Sequence, residues 1–131
     1  MHDLIWVIFK SKNKKILILQ TSKMKNVYTL PEIDVNESIE FLSDYIYKKI
    51  NALINIKPVD IKQISDDDPY GRRIEIFLCT KWFGDLSIKD ENIKSYKWVP
   101  MQQLYDMQNQ LTGYFKKLLD TIVFKLRHEN G

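Results

Sequence analysis

The sequence predicts an α/β (α+β) fold in which helices cover both faces of a mixed sheet. Short β-type runs fill the start and the middle of the chain, one amphipathic helix separates them, and the chain ends in helical segments. The order is β-β-β-α-β-β-β-α-α, and no repeat or low-complexity linker interrupts it. Such an order favours a sheet packed between helical layers. The 131 residues suffice for one core, so we expect a single domain over 1-131.

The first two strands are predicted to form a hairpin. The apolar run Leu4–Phe9 lacks clean alternation, which indicates a strand buried on both faces. A polar break at 10–15 separates it from Ile16–Leu19, as is typical of a hairpin turn. We interpret the lysines of this turn first as a solvated group and second as a patch that contacts phosphate. A third short strand, Val27–Leu30, ends at Pro31.

A helix is predicted over 36–52. Asp34 or Asn36, with Glu37 close behind, supplies capping chemistry at its start. Apolar residues then recur at helical spacing and define one stripe. The stripe consists of Ile39, Leu42, Ile46, Ile50 and Leu53. We therefore expect Ile46 and Ile50 to pack into the core or a covered groove.

The second half of the chain predicts three strands and two helices. Pro69 and Gly71 make 66–71 a turn, because proline presets the backbone and glycine tolerates positive φ. In Arg72–Trp82, alternate residues share a face, which places Trp82 on the face of Ile74. The remaining predicted elements are strands Val59–Ser65 and Ser95–Val99 and helices Met101–Met107 and Tyr114–Leu126.

Composition excludes several classes of protein. The net charge is only +3, and basic and acidic residues are mixed, unlike the basic stripe of a dedicated duplex-binding domain. The single cysteine, Cys79, excludes an intramolecular disulfide and is expected to be a packed thiol in a reducing, cytoplasmic setting. His2 and His128 lie at the two ends, which argues against a histidine metal site or triad. The apolar run near the start is too short for a membrane span, so no membrane partner is expected.

Several short motifs together resemble the Nudix superfamily in its MutT-like branch. Tyr28-Thr29-Leu30-Pro31 and Glu37-Ser38 look like the entry to the Nudix box and the first step of its helix. The segments 72–85, 90–91, 98–104 and 111–126 are similar to the family's long strand and Trp-x-Gly-Glu turn, acidic loop, Trp-Val step and last helix. The resemblance implies a Nudix-type α/β/α sandwich that binds a nucleoside di- or triphosphate and, if active, hydrolyses it with Mg²⁺.

The box itself departs from the pattern G-x5-E-x7-R-E-U-x-E-E-x-G-U. With Glu37 aligned on the first glutamate, Tyr45 stands at the arginine position. Ile46, Lys49 and Ile50 stand where the metal-binding acids belong. A lysine in a metal shell repels the cations that the family uses to neutralise phosphate charge and activate water. No catalytic residue is therefore assigned with certainty, and without activity we expect no cofactor.

Other acids offer an alternative metal site. Glu37, Glu40 and Asp44 stand at i, i+3 and i+7 and are the candidate magnesium-binding residues, with help from Glu91. The candidate catalytic residues are Glu37, Glu40 and Glu91. The competing interpretation is a solvated acidic face opposite the apolar stripe, which we favour. The acidic run 66–68 lacks calcium-loop spacing, so a plain polar turn is favoured there.

Tyr28, Arg72 and Trp82 are the candidate nucleotide-binding residues. Aromatic faces stack on bases, and arginine clamps phosphate without a metal. For the aromatic residues, a core or half-core role is the plainer interpretation. Phe83, Trp98, Arg73 and Asn109 are weaker candidates for the same roles. The resemblance implies that one opening brings together Tyr28, Glu37, Glu40, Arg72, Trp82 and Glu91.

Three functions stay open at this point. The first is binding, with or without hydrolysis, of a nucleoside polyphosphate. The second is a non-catalytic module for nucleic-acid lesions, because the chain is also similar to the Nudix-like C-terminal domain of MutY-type adenine glycosylases, which helps to recognise oxidised guanine in DNA repair. The third is a protein-interaction domain. The sequence does not define the oligomeric state.

Overall fold

The structure, a computed structural model, describes residues 3–23 and 25–129. The strands are β1 (Asp3–Phe9), β2 (Lys15–Thr21), β3 (Tyr28–Thr29), β4 (Glu32–Val35), β5 (Lys57–Asp67), β6 (Ile74–Phe83) and β7 (Ile93–Pro100). The helices are α1 (Leu42–Ile54), α2 (Met101–Asp106) and α3 (Gly113–Arg127). The predicted order holds, with β4 as an additional strand.

The strands form two sheets. One has the order β4-β1-β6-β5, with β1 and β6 parallel and the other neighbours antiparallel. The other has the order β3-β2-β7 and is antiparallel. The two strands of the predicted hairpin pair only at Lys10 and Ile16 and then diverge into different sheets. The predicted α+β class with a mixed sheet is confirmed.

Alternate residues of the strands point into two apolar cores on opposite sides of the sheets. On β1, Leu4, Trp6 and Ile8 pack in the core that α3 covers, while the residues between them pack in the core that α1 covers. Every residue of 4–9 is at most 2% exposed, so the strand is buried on both faces as predicted. The sheets therefore lie between two helical layers.

Helix α1 begins at Leu42, six residues later than predicted, and Leu42 itself is exposed. The capping prediction for Asp34 or Asn36 was wrong, because the N-cap is Phe41 and no side chain caps the helix. The cause is β4, which pairs with β1 and keeps the chain in the sheet through Val35. Ile46 and Ile50 are fully buried, as predicted.

The predicted turn at 66–71 is shorter than expected. Asp66 and Asp67 still belong to β5, and the reversal is made by a 3-10 turn at Pro69–Gly71. Gly71 has a φ of +75°, which confirms the predicted need for a left-handed backbone there.

Trp82 does not share the face of Ile74. It packs instead in the core that α1 covers, stacked on Trp98 and edge-on to Phe9. The pairing of β5 with β6 shifts opposite Lys81, and such irregularities increase local strand twist, so simple alternation fails at the end of β6.

Cys79 is a packed thiol, as predicted. It is fully buried, its Sγ contacts the Lys81 carbonyl oxygen at 3.0 Å, and burial raises its pKa to about 11. His128 contacts the Phe124 carbonyl oxygen through Nδ1, and His2 lies outside the described residues. None of the helices described in residues 3–23 and 25–129 has the length and apolarity that a bilayer crossing requires.

Candidate functional site

A cleft lies between β2, β3 and β4 on one side and α1 with the loop before β7 on the other. It has two neighbouring parts, which share Glu32, Asp34, Leu53 and Asp90. The inner lobe has a volume of about 300 Å³ and is further lined by Leu19, Thr21, Lys23, Thr29, Leu30, Asn92 and Ile93. The outer lobe has a volume of about 340 Å³ and is further lined by Ile33, Lys49 and Ala52. These volumes suit a small molecule of nucleoside size.

Local structure explains why charged side chains meet here. In β4, Ile33 turns into the core while Glu32 and Asp34 turn outward. Buried Ile46 and Ile50 fix the rotation of α1, which leaves Lys49 facing the outer lobe. The loop before β7 is tied to the end of α1, since the Lys89 amide donates to the Leu53 carbonyl at 3.0 Å. The tie brings Asp90 into the cleft.

Each acid of the cleft already has a donor within the protein. Glu32 accepts from Trp6 Nε1 at 2.8 Å, and Asp34 forms an ion pair with Arg72 at 2.9 Å. Asp90 accepts from the Asn92 amide at 2.8 Å. The carboxylates are therefore held apart by separate partners.

Glu32 is the acid whose charge is most disfavoured. As a residue it remains exposed, yet the protein around its carboxylate removes enough water to raise its pKa above the ordinary value. The hydrogen bond from Trp6 and the charge of Arg72 oppose this shift, and the charge of Asp34 adds to it. A group with a raised pKa takes up its proton at a higher pH than a solvated glutamate does.

Two residues that line the inner lobe carry buried hydroxyls without a protein partner. Thr21 Oγ1 and Thr29 Oγ1 have no hydrogen-bond partner among the described residues, and both residues line this lobe. Thr29 is only 5% exposed. A buried hydroxyl without a partner costs free energy, about 1–3 kcal/mol. Two unused hydrogen-bonding groups therefore lie buried in the wall of the inner lobe.

The residues present do not fit a Nudix-type metal centre. Two of the aligned acid positions, Ile46 and Ile50, are fully buried in the core, and the third, Lys49, brings a positive charge to the cleft. Within the part of the chain that the structure describes, no three acidic, histidine or cysteine side chains come close enough to hold one ion.

The alternative acidic site of the sequence analysis does not form. Glu37 and Glu40 lie in the loop before α1, so only Asp44 is helical and the three do not share a helix face. All three are exposed. Glu37 lies near Tyr45, whose pKa is raised first by burial and then by the charge of Glu37. The three acids do not share a helix face because β4 delays the start of α1 to Leu42.

The six residues that the resemblance groups around one opening do not line the cleft. None of Tyr28, Glu37, Glu40, Arg72, Trp82 and Glu91 lines either lobe. Arg72 touches the cleft through its ion pair with Asp34, whereas Trp82 lines a different cavity beside Lys12 and Lys81. Asp90 rather than Glu91 lines the cleft.

The other predicted ligands lie elsewhere. Tyr28 packs against the core that α3 covers, below Lys97, whose Nζ is 5.7 Å from the ring centre. Arg73 pairs with Asp66 and Glu75, and Asn109 is exposed in a 3-10 turn. Roles for Tyr28 and Arg72 in nucleotide binding stay predictions.

One signal in the sequence points to cleft residues that the sequence analysis missed. The run 32–35 alternates acidic and apolar residues, which is the pattern of a half-buried strand and places Glu32 and Asp34 on one face. In the sequence analysis, Asp90 lies in the acidic loop but its neighbour Glu91 is the candidate, whereas in the structure Asp90 lines the cleft. No local pattern distinguishes Thr21 and Thr29 from ordinary strand threonines.

Comparison with solved structures shows that the chain has the Nudix fold. A Nudix hydrolase family member from Chromobacterium violaceum superimposes with a TM-score of 0.74 at 17% identity, covering 100% of this chain and 81% of that one. The Nudix domain of Shewanella oneidensis NrtR, solved with ADP ribose, gives 0.70 at 17% identity over 94% and 86%. MutT, from work on Aliivibrio salmonicida and Vibrio cholerae, gives 0.67 at 16% identity over 80% and 84%. Nudix hydrolases generally use a divalent metal ion.

One curated protein is similar in sequence. The tRNA uridine 5-carboxymethylaminomethyl modification enzyme MnmG of Buchnera aphidicola subsp. Cinara cedri is 31% identical over 102 residues, 76% of this chain. The match spans only 13% of that protein's length. No protein-family profile matches the chain.

Proposed function

We propose that the chain binds a nucleoside di- or triphosphate in the cleft without depending on a bound metal ion. The observation that carries the proposal is the pair of buried, unpartnered hydroxyls of Thr21 and Thr29 in the inner lobe. A buried polar group without a protein partner is expected to meet a bound ligand, ion or water. The Nudix fold, and the ADP ribose bound by a structural neighbour, support a ligand of this class.

The shape of the inner lobe suits the nucleoside part of such a ligand. Leu19, Leu30 and Ile93 supply apolar walls for a base or sugar. The two threonine hydroxyls lie buried in these walls, and rotation about χ1 would turn them toward a ligand, which would give the lobe the few polar groups of a ligand site. The hydroxyls would therefore form hydrogen bonds with the edge of the base or with the sugar.

The lysines of the cleft suit the phosphates. Lys23 lies at the inner lobe and Lys49 at the outer lobe, and neither makes an ion pair among the described residues. The nearby acids oppose phosphate binding less than their number suggests, because Asp34 is paired with Arg72 and Glu32 accepts a hydrogen bond from Trp6. Lysine thus takes over the neutralising role of metal ions, and hydrolysis is not expected.

The test removes one hydroxyl without changing side-chain shape. Thr29→Val should weaken the binding of a labelled guanosine triphosphate by about 5- to 10-fold, the effect of one lost hydrogen bond. Its melting temperature should be unchanged or higher, since an unsatisfied buried hydroxyl disappears. Thr121→Val, on α3 and outside the cleft, is the matched control and should bind normally.

The same titration separates the competing functions. Tighter binding of an oligonucleotide carrying an oxidised guanine than of the free nucleotide would favour lesion recognition. Absence of any binding by the parent protein, or equal affinity in Thr29→Val and the parent, would remove the proposal and favour a protein-interaction domain.

A further inference from the structure

A second surface lies at the opposite end of β2 from the inner lobe. The turn between β1 and β2 and the end of β6 enclose a cavity of about 350 Å³, lined by Lys10, Ser11, Lys12, Lys14, Thr80 and Lys81. The sequence predicts that the lysines of this turn are solvated. The structure places Lys81 of β6 beside them. The seven residues of β2 place this surface roughly 20 Å from the inner lobe.

Aromatic side chains adjoin these lysines. A neighbouring cavity of about 540 Å³ shares Ser11, Lys12, Thr80 and Lys81 and is further lined by Val59, Trp82 and Phe83. Phe83 is 71% exposed, although burial of a phenylalanine is normally favourable. Trp82 is held in place by stacking on Trp98, with ring centres 5.7 Å apart and planes 15° apart. The surface thus offers a fixed indole and an open phenyl ring beside cations.

The charge of this surface is concentrated in lysines, although Asp60 stands opposite Lys81 in the register of β5 and β6. Among the described residues, Lys10, Lys12, Lys14 and Lys81 make no ion pair. These four positive charges exceed the net charge of +3, so the rest of the chain carries a net charge of −1. A weakly charged protein therefore concentrates its positive potential at one end, and such concentration attracts polyanions.

We propose that this surface, defined by Lys10, Lys12, Lys14, Lys81, Trp82 and Phe83, binds single-stranded nucleic acid. Lysines that track a phosphate backbone beside aromatic rings that stack on unpaired bases are the recurring components of such sites. Paired bases do not offer their faces to Phe83, which favours a single strand over a duplex. The inference goes beyond nucleotide binding in the cleft and does not depend on it.

The test measures the affinity of the full chain for a fluorescent 15-nucleotide oligo(dT) and its RNA counterpart by anisotropy. Lys12→Glu/Lys81→Glu should weaken binding at least about tenfold and flatten its salt dependence, because two phosphate contacts are lost. Phe83→Ala should weaken binding about 5- to 100-fold through loss of stacking. Phe83 is exposed, so this variant should fold normally, which its melting temperature checks. Lys116→Glu, an exposed lysine on α3, is the charge control and should bind like the parent.

Each possible result either supports the proposal or overturns it. Losses in both surface variants with normal binding by Lys116→Glu support the proposal. Unchanged affinity in the surface variants, an equal loss in Lys116→Glu, or equally tight binding of poly-glutamate would overturn it. Thr29→Val should not alter oligonucleotide binding, so failure of this surface and failure of the cleft are distinguishable.

Discussion

Replacing Ile46 by glutamate is expected to lower the free energy of unfolding by at least about 3 kcal/mol. Ile46 is 0% exposed and packs in the apolar core between its own helix, α1, and the sheets. A glutamate there loses the buried apolar contacts and brings a carboxylate into a site without a hydrogen-bonding partner. For a domain of this size, the melting temperature should fall by roughly 10 °C or more.

Ser43→Glu is the matched control, because it adds the same charge at an exposed position of the same helix. It should melt within about 2 °C of the parent, helped by the favourable position of an acid in the first helical turn. A normal melting temperature for Ile46→Glu would contradict both the register of α1 and the burial of the aligned box position. Restoring the glutamate of the Nudix pattern should therefore unfold the helix rather than rebuild a metal site.

With Mg²⁺ and nucleoside triphosphates, the protein is expected to release phosphate or pyrophosphate at least about 10³-fold more slowly than an active Nudix hydrolase does. Metal ions contribute several kcal/mol to such reactions, and each ~1.4 kcal/mol is a factor of ten in rate. Ile46 and Ile50 are buried, Lys49 is cationic, and the acids of the cleft are held by separate donors.

Release should be measured against an active Nudix hydrolase assayed in parallel. A fast reaction that Asp90→Asn or Glu32→Gln abolishes would show that the acids of the cleft form a metal site despite their separate partners. A fast reaction abolished by Glu37→Gln or Glu40→Gln would show that the acids of the loop before α1 had taken over. Either result would remove the metal-independent account.

The sequence predicted the apolar framework well, because burial leaves a periodic trace. The unbroken run 4–9 indicated a strand buried on both faces, and Ile46 and Ile50 at helical spacing indicated the buried side of α1. These features depend on side-chain period alone. The short motifs around 28–31 and 82–85 then led to the correct fold.

The site was less predictable, because it depends on where the chain leaves the sheet. Pairing of β4 with β1 delays α1, which separates Glu37 and Glu40 from Asp44. The hydrogen bond from the Lys89 amide to the Leu53 carbonyl at the end of α1 positions Asp90 in the cleft. The run 32–35 alternates, but no periodic pattern shows which strand it pairs with or which loop residue bonds to α1, and capping preferences alone place the start of the helix too early.

The most direct test of metal-independent nucleotide binding is a calorimetric titration with guanosine triphosphate, once in Mg²⁺ and once in EDTA. The affinities should agree within about threefold, and Lys49→Glu should weaken both by about tenfold or more, since a lysine facing the cleft replaces the cations. Lys48→Glu, on the same helix and outside the cleft, should leave both unchanged. Binding that occurs only in Mg²⁺, or an affinity that does not respond to Lys49→Glu, would contradict the account.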